Sequence, residues 1–103
     1  MLAFVDELIA FLNSLPTNDP IYFMLKGTLY AIVDIRLIKK DVMVIVEKEE
    51  KTTGSFSKAD IIQVINPLYN NGSRFQVFAD RKTYCVIPSF IRDSLNKYII
   101  EIA

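Results

Sequence analysis

Between residues 2 and 15 the apolar positions Val5, Leu8, Ile9, Leu12 and Leu15 recur every three or four residues. That is the stripe of an amphipathic helix, with Asp6 and Glu7 near its positive end and Pro16 to stop it. From Ile21 the period shortens. "IYFMLK" at 21–26 and "TLYAIVDI" at 28–35, parted by Gly27, read as a β-hairpin, and "VMVIVEKE" at 42–49 reads as a third strand. A helical pattern resumes after Ser57, which with Asp60 forms a capping-box variant, followed by Ile61, Ile62, Val64, Ile65 and Leu68. The "NNGS" turn then leads to strands "RFQVFAD" at 74–80 and "TYCVI" at 83–87. The last stretch, 88–102, aligns Ile91, Leu95, Tyr98, Ile99 and Ile102 at helical spacing behind Pro88, which predicts a third helix.

The order is therefore α-β-β-β-α-β-β-α, an α+β domain with a mainly antiparallel sheet of about five strands and helices on one face. The halves also echo each other. Sliding one on the other sets Leu8, Ile9, Phe11, Leu12, Asn13 and Leu15 against Ile61, Ile62, Val64, Ile65, Asn66 and Leu68. Slid by one residue more, Ile21 and Phe23 meet Phe75 and Val77, and Tyr30 to Val33 meet Tyr84 to Ile87. The expectation is a single domain over 1–103 carrying a helix–hairpin pseudo-repeat, 5–35 and 58–87.

The chain has 103 residues, 51% of them hydrophobic, and twelve basic residues balance twelve acidic ones. The apolar fraction is high for a domain with so much surface, which points to a partner or to self-association. The zero balance argues against non-specific binding to duplex nucleic acid, where affinity comes from neutralising phosphates. A single cysteine, Cys85, forms no internal disulfide and reads as a buried structural residue of a cytoplasmic protein. No apolar run is long enough for a membrane span, and the N-terminus lacks the basic start of a secretory signal.

Candidate chemistry is sparse. There is no histidine, which removes the commonest general base, the commonest metal ligand and the usual nucleophile–base pairs. The three glycines stand alone, so "KTTG" at 51–54 lacks the glycine-rich turn of a phosphate loop. Asp34 pairs with Arg36 on one side of a strand. The reading is a non-enzymatic module without cofactor or metal, acting by occupying a protein surface, a partner's or that of its own copy. By analogy with its composition, rich in Ile, Lys, Asn and Tyr, it resembles small accessory or inhibitor proteins of viruses and mobile elements.

Alternation assigns the faces. In 74–80, Phe75, Val77 and Ala79 point inward, and Arg74, Gln76, Phe78 and Asp80 outward. Counting back from the charged pair Asp34 and Arg36 puts Tyr30 and Ile32 outside too. With Tyr22, Met24, Met43, Ile45 and Tyr84, and with Val86 beside Tyr84, these make an outer partner-binding face of tyrosines, methionines and aliphatics. The alternative reading is a small nucleic-acid-binding regulator that clasps a strand with Arg36, Lys39 and Lys40 at one connection and Arg81 and Lys82 at another.

Overall fold

The structure is a computed structural model that describes residues 1–52 and 54–103; Thr53, within the 51–54 connection, lies outside the described residues. Helix α1 spans Val5–Asn13 and α2 Lys58–Ile65. The strands are β1 (Ile21–Leu25), β2 (Thr28–Ile38), β3 (Asp41–Lys48), β4 (Phe75–Ala79), β5 (Lys82–Tyr84), β6 (Ile91–Arg92) and β7 (Tyr98–Glu101). They form one mixed sheet in the order β5-β4-β3-β2-β1-β7-β6.

Two expectations are corrected here. The sheet has seven strands rather than about five, and two pairings, β1 with β7 and β3 with β4, are parallel. Residues 88–102 are not a helix. Asp93 Oδ1 accepts the amides of Leu95 and Lys97, and Asn96 adopts a positive φ of 59°, which closes a turn between β6 and β7. The supposed helical stripe is split: Ile91 and Leu95 are exposed, whereas Tyr98, Ile100 and Ile102 are buried at the period of a strand.

The sheet curls until its ends meet. Residues 85–87, continuing β5, pair antiparallel with 101–103, continuing β7: Cys85 and Ala103 exchange both backbone hydrogen bonds, and the Ile87 amide donates to the Glu101 carbonyl. Six strands thus close a ring, with β6 attached outside it along the first half of β7. Inside lie Ile21, Phe23, Tyr30, Ile32, Val42, Val44, Val46, Phe75, Val77, Val86, Tyr98, Ile100 and Ile102, in one core with Val5, Leu8, Leu12, Ile61 and Ile65 of the helices.

Both helices sit at the end of the ring where β1 and β4 begin. Phe4, before α1, bridges Arg74, and Ser57, before α2, bridges Pro20. Each helix start is fixed by a carboxylate three residues in: Glu7 accepts the amides of Ala3 and Phe4, and Asp60 accepts that of Ser57 while Ser57 Oγ accepts from the Asp60 amide. These two amides hold the Glu7 carboxyl below its usual range.

The ladder of one half recurs in the other. Phe23 lies opposite Tyr30, and Val77 opposite Tyr84, each hairpin closing through a two-residue turn with both φ values positive (Lys26–Gly27 and Asp80–Arg81). Ile21 lies opposite Tyr98 in one parallel pair and Phe75 opposite Val42 in the other. Ile32 lies opposite Val46, and Val86 opposite Ile102. The Tyr98 amide donates to Pro20 O as the Val42 amide donates to Arg74 O, both at 2.9 Å.

Candidate functional site on the outer face of the ring

The register divides the proposed partner face in two. A β-bulge lies between Ile32 and Asp34, so Val33 is an extra residue and the side-chain alternation changes phase there. Upstream of it Tyr30 (3% exposed) and Ile32 (1%) point into the ring; downstream, Asp34 and Arg36 point out and pair at 3.0 Å, while Ile35 packs on the core. Counting back from Asp34 across a regular strand gives the wrong side. The same displacement carries to the second half: Val86 is fully buried, and Tyr84 packs against the core. Cys85, between them, faces outward and is half-buried rather than a core residue.

Met24, Met43, Ile45 and Phe78 remain on the outer side, half-buried. Tyr22 is outside as well but covered: the Lys97 ammonium lies 4.8 Å from its ring centroid and bonds Glu49 at 3.0 Å. The Glu49 carboxylate holds the Lys97 ammonium above its ordinary pKa.

Across β2, β3 and β4 the register builds two outer rows. One runs Arg36, Met43, Gln76; the next runs Asp34, Ile45, Phe78 and ends at Thr83 of β5. Beside Met43 and Gln76 a recess of about 590 Å³ opens, reaching Cys85 and Ala3 on one side and Ile38, Lys39 and Lys40 on the other. Arg74 stands at its edge, 4.7 Å from the Phe4 ring centroid, and the Arg74 amide donates to Asp41 Oδ1 at 3.0 Å. Among the described residues Lys39, Lys40 and Arg74 make no salt bridge.

The two basic clusters of the nucleic-acid reading are not brought together. Lys39 and Lys40 lie beside the start of β4 and Arg81 and Lys82 just past its end, roughly 17 Å away at about 3.3 Å per residue. Arg74 joins Lys39 and Lys40 instead. Its outward alternation was visible in the sequence, but its proximity to the β2–β3 turn depends on the parallel β3–β4 pairing.

At the end of the ring away from the helices, the turns of the two hairpins flank a cavity of about 300 Å³ lined by Lys26, Thr28, Tyr30, Asp80, Lys82 and Tyr84. The Tyr30 hydroxyl donates to Asp80 Oδ2 at 2.5 Å. That bond, with burial, pushes the Tyr30 phenol up to about 12. A phenol so held is a poor proton donor near neutral pH and serves as a tether between the halves.

Among the described residues no helix is long and apolar enough to cross a membrane, and no three His, Cys, Asp or Glu side chains cluster as a metal site. No protein-family model matches the chain, nor does any curated protein or solved structure.

Proposed function

We propose that the protein is a non-enzymatic binding module that acts by occupying a protein surface with the outer face of β3 and β4. The observation that carries this reading is the half-buried group Met43, Ile45 and Phe78, set beside an open recess and edged by charge. Apolar side chains held on a rigid sheet lose little entropy when a partner covers them, and methionine adapts to the covering shape. The cations lining the recess favour nucleic acid as a second reading, with Lys39, Lys40 and Arg74 rather than the separated pair Arg81 and Lys82.

The test compares wild-type protein with Ile45→Lys and Phe78→Asp as baits in nuclease-treated lysate of the native host. Wild type should retain a defined protein, and both variants should lose it while keeping the wild-type melting curve. Capture that persists in both variants, or that disappears with nuclease, overturns the reading. Unfolding of both variants also overturns it, since the side chains would then belong to the interior.

A further inference from the structure

We propose that the recess over Gln76 and Cys85 receives an extended, acidic segment of the partner protein, laid beside Lys39, Lys40 and Arg74. The proposal rests on the binding reading above and names the chemistry of its occupant.

The recurrent ladder makes the two outer faces comparable. Tyr22 stands where Gln76 stands, Ala31 where Cys85 stands, and Ile99 where Met43 stands. One face is covered by the chain itself. After β3, Glu49 reaches the Lys97 that lies over Tyr22. Thr52, Gly54, Ser55 and Phe56 then pass Ile32 and Val33. Ser55 Oγ bonds both the Ile21 carbonyl and the Ile32 amide, and the Phe56 carbonyl accepts the Ile21 amide. Under this cover Ala31 is 0% exposed and Tyr22 8%.

On the other face, Leu2 and Ala3 take the places of Ser55 and Phe56: the Leu2 amide donates to Val86 O, and Ala3 O accepts the Phe75 amide. Gln76 is exposed, Cys85 half-buried, and the recess starts at Ala3 and runs between them to the β2–β3 turn. The counterparts of the covered Tyr22 and Ala31 thus lie open at this recess.

Charge selects the occupant. Three cations, Lys39, Lys40 and Arg74, line this recess and make no salt bridge among the described residues, and Asp41, the single acid among its lining residues, already accepts the Arg74 amide. An extended segment with carboxylates at alternate positions could set an acidic edge toward these cations and an apolar edge toward Met43 and Ile38. The covering segment on the first half uses the same chemistry, Glu49 on Lys97.

The probe is an end-blocked octapeptide alternating valine and glutamate, with its valine–lysine counterpart as control. The readouts are the rate of Cys85 alkylation by iodoacetamide and the backbone amide shifts of the labelled protein. The glutamate peptide should slow alkylation saturably and shift Ala3, Met43 and Gln76, and the lysine peptide should do neither. Lys40→Glu with Arg74→Glu should weaken protection about tenfold or more at an unchanged melting temperature. The milder pair Lys40→Gln and Arg74→Gln should weaken it less and settles the matter if the reversals unfold. Equal protection by both peptides, no protection by either, or shifts confined to other residues overturns the proposal. So does self-association that protects Cys85 without peptide, which would assign the recess to a second copy. If the peptides fail while capture still depends on Ile45 and Phe78, only the acidic occupant is lost. If capture ignores Ile45 and Phe78, the binding reading itself falls.

Discussion

Replacing Tyr30 by Phe isolates one hydrogen bond, because the ring that fills the core is kept and only the hydroxyl is removed. The phenol is held near 12 instead of 10 by its bond to Asp80 and by burial. A displacement of that size corresponds to about 2–3 kcal/mol between protonation states, which is a ceiling on what the bond contributes. Asp80 is exposed, so water takes the place of the lost donor and the penalty for an unpaired acceptor is small. The expected cost is therefore about 1–2 kcal/mol, or roughly 5–10 °C in melting temperature for a domain of this size. The sign with pH follows from the raised pKa. The neutral phenol is favoured in the folded state, so the contribution is complete below pH 10 and is lost as pH rises through about 12. Urea unfolding at pH 8 and pH 11.5, together with tyrosinate absorbance, reads both quantities. Wild type should lose its advantage over Tyr30→Phe across that interval, and the variant should lack one late-titrating phenol. A variant as stable as wild type at pH 8, or one that loses stability with pH as steeply as wild type does, refutes the reasoning.

Ser73 is 2% exposed and its Oγ lacks a hydrogen-bond partner among the described residues, so Ser73→Ala should raise stability by up to about 1 kcal/mol in urea titration. Ile100, 1% exposed in β7, should cost about 2–5 kcal/mol as Ile100→Ala, measured the same way. The Asp19 carboxyl is lowered first by the Thr17 hydroxyl and then by Arg92, so its contribution is present above pH 3.8 and lost as pH falls through the lowered value. Asp19→Asn should accordingly flatten the acid limb of the stability curve. Lys97 acts at the other extreme: its pKa is raised by Glu49, so its contribution persists below pH 10.5 and disappears above, and Glu49→Gln should remove that alkaline dependence.

Local signals carried the first two helices and the two hairpins. The carboxylates of Glu7 and Asp60 and the stripes on α1 and α2 are written within single turns of chain, and turn residues marked where each hairpin reverses. The third helix failed because Tyr98, Ile99 and Ile102 satisfy a helical period, while the strand period of Tyr98, Ile100 and Ile102 wins only through pairing with β1, a distant segment. The parallel pairings were invisible for the same reason. At the candidate site, Met43, Ile45 and Phe78 were placed correctly from alternation, since β3 and β4 carry no irregularity in their mutual register. Tyr30 and Ile32 were misplaced by Val33, which nothing in "AIVDIR" distinguishes from an ordinary strand residue. Cys85 was misread with them, because its side depends on the same phase.

The closed ring also dictates the tempo of folding. Each hairpin joins neighbours in sequence and can form within microseconds, but the ring is complete only when Ile21 meets Tyr98, Val42 meets Phe75 and Val86 meets Ile102. Bringing together segments so far apart incurs loop-closure entropy before the contacts offset it, so this topology belongs with slow folders rather than helical bundles. Until that step the edges of β1 and β4 have no parallel neighbour, and the newly made chain is at its most vulnerable to pairing with other chains. Parting any one of these seams opens the ring and bares strand edges again, so the protection from pairing lasts only while all of them hold.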